Sequence, residues 1–342
     1  MDTRIIARIA EGGGLARARD LRAAGVDPRA ITALVRGGEL VAVRRGIYST
    51  AELWDAADEW RERPLARIRA AHLAVTMDHV FSHDSAAVLH GLPLIDVRES
   101  EVHVTRVGVV GSHTRYAVRH HGAPYAAEEV VPLGHLEALA VPRTVADLAR
   151  THGYAAGLVA ADAALRLGHS RASLREATES MRCWPGVSIC RVVIDDADRG
   201  AESAPETLGR VLVKELGVGD VETQFPIRTS SGVRWADMRI GCHLFEVDGR
   251  IKVTAQGEGG VATEPAGDVI WREKKRERDV TSRGLGVSRI VWQDFWDPYR
   301  ARARARLRAE FDATCQRYGE QLPAELVEDA RRIREEFRHQ AG

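Results

Sequence analysis

The stretch RWADMRIGCHLFEVDGRIK, residues 234–252, predicts a β-hairpin around which the rest of the chain can be arranged. Its turn is Gly241-Cys242, because glycine at the first position of a two-residue loop suits the left-handed backbone of a type II′ turn. Such a loop fixes the pairing of the two strands. The hairpin therefore has a defined register and two defined faces.

The register pairs Ile240 with His243 and Met238 with Phe245. Side chains alternate between the two sides of a strand, so one side of the hairpin is predicted to be apolar and to face a core. This side consists of Ala236, Met238, Ile240, Phe245 and Val247.

The opposite side of the hairpin carries three carboxylates. Asp237 faces Glu246 across the two strands, and Asp248 faces Trp235. Like charges directly opposite each other on neighbouring strands repel. Mg²⁺ would compensate them, since this ion is commonly held by one or two carboxylates together with water and substrate phosphate oxygens. The alternative is that Arg239, on the same side, neutralises an ordinary solvated surface.

The composition of the whole chain excludes several classes of protein. A length of 342 residues predicts two or three domains. The 49 basic residues equal the 49 acidic ones, so any attraction to nucleic acid must come from local patches. Four cysteines without a C-x-x-C pair indicate a reduced, cytoplasmic protein without structural zinc. The chain has no apolar run of the length found in signal peptides or membrane-spanning helices, so it is predicted to be neither secreted nor embedded in a membrane.

Residues 1–55 predict a small DNA-binding domain with the element order of a winged helix-turn-helix. Two short helices lead to a glycine-bearing turn, and Asp27-Pro28 then caps and opens a third helix. The segments ELVAVRRG and GIYST follow as two short strands, which is where a wing would lie.

This N-terminal segment is locally basic. Residues 1–50 contain nine arginines and five acidic residues within a neutral chain. The predicted DNA contacts are the polar residues on the exposed face of the third helix and in the wing, namely Arg29, Thr32, Arg36, Arg44 and Arg45. The alternative is a helical packing module whose arginines only solvate it.

The N-terminal segment resembles the winged-helix domain of the AbiEi family of antitoxins, which act as transcriptional repressors in toxin–antitoxin systems. Several later blocks are similar to ones that accompany that domain, so the resemblance covers about residues 1–190. These blocks are VFSHDSAAVLHGLPL (80–94), EVHVTR (101–106), VPRTVADLAR (141–150) and VAADAALRLGH (159–169). The resemblance implies double-stranded DNA and a cognate toxin protein as partners.

The middle region, residues 56–197, is predicted to be an α/β and helical scaffold. Its helical segments from about 155 onward are expected to break near Trp184-Pro185-Gly186. His79 and His83 have the i, i+4 spacing of a helical metal pair, but no carboxylate or cysteine completes a ligand set. A structural role is therefore predicted for them, and likewise for His120-His121.

The third region, residues 198–297, contains the hairpin. It opens with a helix whose N-cap is Ser203, and Glu206 three positions later completes a capping box. The alternative is that Glu206 leans toward the hairpin carboxylates as a further ligand or base. A basic helix and a strand over residues 287–296 are expected after the hairpin.

This order of elements, with acids so placed, resembles the restriction-endonuclease-like superfamily of PD-(D/E)xK nucleases, and specifically its very-short-patch-repair type. The resemblance implies a site with Mg²⁺ or Mn²⁺ as cofactor, in which Asp237 and Glu246 bind the metal. Further catalytic residues would be Glu206, Asp248 and Lys252, and the DNA backbone would be held by Arg276 and Arg278. The sequence departs from the superfamily at Asp248, where a lysine is expected.

The predicted fold class is α+β multidomain. The domains are a winged helix-turn-helix (1–55), an α/β scaffold (56–197), a restriction-endonuclease-like α/β core (198–297) and a charged, solvated C-terminal helix (298–342). The predicted function is that of a DNA-binding protein with a Mg²⁺-dependent endonuclease domain, acting in phage defence, DNA repair or a toxin–antitoxin system. The alternative is a non-enzymatic AbiEi-like antitoxin and repressor with an inactive nuclease fold.

Overall fold

The structure, a computed structural model, describes residues 1–95, 101–229, 232–248 and 280–340. It divides into two compact units, Met1–Ala197 and Asp198–Gly342. Within the described ranges, no helix is both long and apolar enough to cross a membrane. The fold is a mixture of helices and several β-sheets.

The first unit begins with three short helices and a three-stranded sheet. The helices are α1 (Thr3–Glu11), α2 (Ala18–Ala23) and α3 (Pro28–Arg36). The strands are β1 (Ala16–Arg17), β2 (Leu40–Arg44) and β3 (Ile47–Thr50), in the spatial order β1-β3-β2. The three predicted helices and the two strands after them are present, whereas β1 was not predicted.

Helix α3 begins and packs as its sequence predicts. The Asp27 carboxylate accepts the backbone N–H of Arg29 at 2.8 Å, which satisfies one of the free N–H groups of the first turn. Ile31 is fully buried, and Leu34 and Val35 pack against the same apolar cluster. The other side of α3 is left exposed.

The rest of the first unit contains a six-stranded sheet with helices around it. The strands are β4 (Val80–Phe81), β5 (Val102–Arg106), β6 (Ser112–Arg115), β7 (Val118–Gly122), β8 (Val130–Leu133) and β9 (Leu136–Leu139), in the spatial order β6-β7-β5-β4-β9-β8. The helices are α4 (Ala51–Ala56), α5 (Glu62–Ala74), α6 (His83–His90), α7 (Val141–His152), α8 (Tyr154–Arg166), α9 (Arg171–Glu179) and α10 (Val187–Asp196). The predicted break at 184–186 is confirmed.

The second unit is built on a four-stranded sheet. Helix α11 (Ala204–Lys214) precedes the strands β10 (Glu222–Thr229), β11 (Gly232–Ile240), β12 (His243–Asp248) and β13 (Gly286–Val291). The strands lie in this order, with β12 parallel to β13 and the other neighbours antiparallel. Two helices, α12 (Tyr299–Tyr318) and α13 (Ala324–Gln340), complete the unit.

The predicted hairpin register is confirmed next to the turn, whereas the described pairs of the two strands end before Asp237 and Glu246, which were also predicted to face each other. Ile240 pairs with His243 and Met238 with Phe245, and Gly241 has the left-handed φ of +55°. The apolar side of the hairpin is covered by α11. A Cβ on Gly209 of that helix would lie 2.7 Å from Val247, so only glycine allows this approach.

The C-terminal segment differs from the single solvated helix predicted for residues 298–342. It forms two helices, α12 and α13, and buries Leu307, Phe311 and Ile333. The apolar positions of α12 recur every four residues, but the arginines between them hide this periodicity in the sequence. Many of these arginines are paired, as in Arg300–Glu215, Arg306–Asp294 and Arg308–Asp312.

The final strand is also shorter than predicted. It ends at Val291, and a 3-10 helix follows over Trp292–Phe295. The Asp294 carboxylate accepts the N–H of Val291 at 3.0 Å, which caps this helix and stops the strand.

Gly241→Ala is expected to lower the free energy of unfolding more than Gly217→Ala does. Both glycines have a left-handed φ, +55° and +63°, which costs an alanine about 1–2 kcal/mol. At Gly241 a Cβ would also lie 2.2 Å from the carbonyl oxygen of Glu320, whereas Gly217 borders open space. Urea unfolding of both variants measures the difference, and equal losses would contradict this account of the turn.

Candidate functional site

Asp237 lies at the point where the two strands of the hairpin stop pairing regularly. Paired positions of β11 and β12 end at Met238 and Phe245. Beyond them, Oδ2 of Asp237 accepts the backbone N–H of Val247 at 2.8 Å. A carboxylate therefore takes the position of the backbone carbonyl that a continued ladder would offer.

The other two hairpin carboxylates lie beside arginines. Glu246 forms an ion pair with Arg234, and Oδ2 of Asp248 lies 3.6 Å from Nη1 of Arg289. In the part of the chain that the structure describes, no three of the predicted acidic site residues have ligand oxygens within 4.8 Å of one another. The predicted metal ligands Asp237 and Glu246 are thus close in register but are held by different partners.

Arg239 has bonds that the sequence did not indicate. Its Nε donates to Oε2 of Glu222 at 2.9 Å, and its Nη1 donates to the carbonyl of Gly241 at 2.7 Å. Its guanidinium also lies 4.7 Å from the ring centroid of Phe225. Among the arginines of β11, Arg234 is the one that pairs with Glu246.

Glu206 caps its own helix and also lies near Asp237. Its carboxylate accepts the N–H of Glu202 at 2.7 Å and the hydroxyl of Ser203 at 2.8 Å. Burial raises the pKa of Glu206 and the charge of Asp237 raises it further, while the two hydrogen bonds act in the opposite direction. Both roles considered for Glu206, helix cap and neighbour of the hairpin acids, are compatible with this position.

One predicted catalytic residue and two predicted DNA-backbone contacts lie outside the described residues. They are Lys252, Arg276 and Arg278. Their roles stay predictions.

The predicted DNA contacts of α3 lie on one exposed side of that helix. Arg29, Thr32 and Arg36 are all exposed and follow one another at spacings of three and four residues. The Thr32 hydroxyl donates to the carbonyl of Pro28 at 3.0 Å. At the turn between β2 and β3, Arg45 is exposed, and partial burial lowers the pKa of Arg44.

These arginines differ from most others in the first helices by their lack of acidic partners, a feature that they share with Arg22 of α2. Within the described residues, no carboxylate lies within 4 Å of the four predicted to contact DNA, Arg29, Arg36, Arg44 and Arg45. In contrast, several other arginines of the same segment are neutralised, as in Arg4–Asp2, Arg8–Glu11 and Arg17–Asp20. Four of the five arginines of this segment that have no acidic partner in the described part of the chain therefore lie on α3 and at the β2–β3 turn, and the fifth is Arg22 on α2.

An aromatic side chain extends this basic surface. The exposed ring of Tyr116 has the guanidinium groups of Arg45 and Arg115 at 5.7 and 5.2 Å from its centroid. Tyr116 and Ala117 both have positive φ, which makes the tight turn between β6 and β7. The sequence did not predict this hairpin or its place beside the β2–β3 turn.

A cluster of buried histidines was also missed. The spacing in the sequence associated His83 with His79, whereas the structure brings His83 together with His103 and His121. Burial lowers the pKa of all three, and that of His121 falls to about 3. No local sequence pattern predicts this cluster, because its members are separated by 20 and 18 residues along the chain.

Comparison with known proteins finds a family match for the N-terminal segment. Residues 4–51 match the family model described as "Transcriptional regulator, AbiEi antitoxin", so this segment is similar to the regulator domain of that family. A solved structure described as the RV2827C protein from Mycobacterium tuberculosis is similar at 17% identity and a TM-score of 0.40, over 56% of this chain and 75% of that one. No curated protein matches the chain.

Asp237→Asn is expected to lower the pKa of Glu206, because it removes a negative charge that opposes ionisation of that carboxyl. NMR-detected titration of the Glu206 side-chain carboxyl measures the change. The exposed Asp220 provides a matched control, and Asp220→Asn should leave the titration as in the wild type. An unaltered Glu206 titration in Asp237→Asn would mean that the two carboxylates do not interact.

Proposed function

We propose that the chain is a DNA-binding transcriptional regulator of the AbiEi antitoxin type, acting in the cytoplasm through a winged helix-turn-helix over residues 1–55. The observation that carries this proposal is the distribution of unpaired arginines. An arginine held by a carboxylate within its own domain is less available to phosphate or a base, whereas those on α3 and the β2–β3 turn are available. The family match of residues 4–51 supports the same function.

In this proposal α3 is the recognition helix. Arg29 and Arg36 extend from its exposed side and suit the acceptor atoms of guanine in the major groove. Arg44 and Arg45 suit phosphates beside the groove, and Tyr116 with its flanking Arg115 adds a second contact next to them. A cognate toxin protein is the further partner that the antitoxin family implies.

Arg29→Ala and Arg36→Ala are expected to weaken binding to a duplex from the region upstream of the chain's own gene. Each loss should be about 1–3 kcal/mol, which is roughly 5- to 160-fold in Kd, because a charge-assisted contact is removed. Arg45→Ala should in addition reduce the salt dependence of binding by about one phosphate contact. Fluorescence anisotropy at several salt concentrations measures both effects.

Arg8→Ala is the matched control. Arg8 is an exposed arginine of the same domain, but it is paired with Glu11 at 2.7 Å. This variant should bind DNA as the wild type does. If Arg8→Ala weakened binding as much as Arg36→Ala, net charge alone would explain the affinity and the assignment of α3 would be wrong.

A second candidate function is Mg²⁺-dependent cleavage of DNA by the second unit. The order α11, β10, β11, β12 and β13, with β12 parallel to β13, favours it, as does the position of Asp237 near Glu206. The oxygen donors of Asp237 and Glu246 are of the type that Mg²⁺ prefers. Glu246 would have to release Arg234 to serve as a ligand.

In such a site Asp237 and Glu246 would hold the ion. The bound metal would supply an activated water and neutralise charge on the phosphate. Glu206, whose pKa is raised, would be placed to take up a proton, and Asp248 would be a further ligand. Lys252 would donate to the phosphate oxygens, and Arg276 and Arg278 would hold the DNA backbone.

Cleavage is tested with supercoiled plasmid in the presence and absence of Mg²⁺. Nicking by the wild type should require Mg²⁺ and should fall at least about 100-fold in Asp237→Ala and Glu246→Ala, because each removes a charged ligand. Asp220→Ala, which removes an exposed carboxylate elsewhere in the unit, should nick normally. Nicking that survives both site substitutions would remove the assignment, and no nicking beside salt-sensitive promoter binding would leave the regulator as the only function.

A further inference from the structure

Three buried histidines meet inside the first unit, each from a different element. His83 opens α6, His103 lies on β5 and His121 lies on β7. Ring nitrogens of the three lie within 4.8 Å of one another. Nε2 of His121 is 3.2 Å from Nδ1 of His103. Two nitrogens that bind one tetrahedral ion at about 2.0–2.1 Å are separated by roughly this distance.

The second ring nitrogen of each histidine faces a polar group outside the cluster. Metal-binding histidines characteristically have such an outer partner, which fixes the tautomer and the orientation of the ring. The three pairs are His83 Nδ1 with Ser82 Oγ at 3.0 Å, His121 Nδ1 with Ser112 Oγ at 3.3 Å, and His103 Nε2 with Asp84 Oδ2 at 3.8 Å. His83 and His121 are thus each beside a serine hydroxyl, while the polar group beside His103 is Asp84, which is also hydrogen-bonded to His152 at 2.7 Å.

The backbone fixes the positions of the three side chains. The N–H of Ser82 donates to the carbonyl of His103 at 3.1 Å, and the N–H of His103 donates to Oγ of Ser85 at 2.8 Å. On the parallel strands β5 and β7, Thr105 pairs with His121, so His103 and His121 point to the same side of the sheet. The arrangement is thus determined by sheet pairing and by the start of α6.

His83 has an unusual backbone conformation. Its φ is +51°, a value that residues other than glycine adopt rarely. Such conformations persist where the surrounding structure enforces them, and they concentrate at ligand-binding and catalytic sites. The backbone of His83 is therefore a second feature of this cluster that is typical of a ligand-binding site, independent of the ring positions.

A cavity of about 270 Å³ borders the cluster, and His83, His121, Ser112 and Asp147 are among its lining residues. The rings of His83 and His121 stack with their centroids 3.7 Å apart and their planes 10° apart. An ion lies close to the plane of each imidazole that binds it, so one of these rings must turn out of the stack on binding. The cavity provides the space for this turn and for a solvent molecule on the ion.

We propose that His83, His103 and His121 bind one divalent transition-metal ion of the Zn²⁺ class, with solvent as the fourth ligand. Imidazole nitrogen suits this class, whereas Mg²⁺ and Ca²⁺ prefer oxygen. The ion would connect α6, β5 and β7 within the first unit. The site does not depend on the DNA-binding or nuclease function proposed above.

The test uses the full chain without a histidine tag, stripped of metal with a chelator. Isothermal titration with ZnCl₂ should give one saturable site per chain, and Zn²⁺ should raise the Tm. Co²⁺ should give the visible absorption of a tetrahedral nitrogen site without thiolate bands. No saturable binding at micromolar Zn²⁺ would overturn the proposal.

Substitutions assign the binding to these residues. His103→Gln and His121→Gln should weaken Zn²⁺ binding at least about 100-fold, and Asp84→Asn, which keeps all three imidazoles, about 10-fold. Two control variants should bind Zn²⁺ as the wild type does. They are His135→Gln, which replaces an exposed histidine elsewhere in the unit, and Asp237→Ala in the hairpin. Wild-type affinity in folded His103→Gln or His121→Gln would overturn the site, and if those two fail to fold, unchanged affinity in Asp84→Asn would do so.

Discussion

The two-residue turn at Gly241 determines how the second unit is arranged. A one-residue slip in its register would exchange the two sides of the hairpin, because side chains alternate along a strand. In the observed register the apolar side receives α11, whose Gly209 allows the helix to approach Val247 closely. The acidic side carries Asp237, whose carboxylate binds a backbone N–H where the ladder ends. Core and candidate site are thus set by the same backbone geometry.

Features that depend on a few neighbouring residues could be predicted from the sequence. The turn at Gly241, the cap of α3 by Asp27 and the cap of α11 by Ser203 are each formed by side chain and backbone groups within four residues. Short strands could not be predicted, because two residues, as in β1 and β4, are too few to show alternation. They exist only through partners that lie far away in the sequence.

The ion pairs of the arginines could not be predicted from the sequence either. The number of arginines can be read from the sequence, but only the structure shows which of them have acidic partners. In the first helices the structure favours the predicted contacts, since Arg29 and Arg36 lack the carboxylates that neutralise Arg4 and Arg8. In the hairpin the structure shows that Arg234 would compete with a metal ion for Glu246, because the two residues form an ion pair. Strict alternation puts Arg234 on the opposite side, and β11 is still regularly paired with β10 there, so this ion pair could not be predicted from the spacing.

The histidine cluster shows why spacing along a helix is a poor guide to a metal site in this fold. His79 and His83 have the i, i+4 spacing of a helical pair, but they do not share a helix, because β4 lies between them and α6 begins only at His83. Here β5 and β7 place two histidines diagonally on one side of a sheet, and the pairing of β4 with β5 brings in the start of α6. The two candidate sites also differ in the type of ligand atom that they offer to a metal ion. The hairpin offers carboxylate oxygens and the cluster offers imidazole nitrogens, so Mg²⁺ and Zn²⁺ would select different units of the same chain.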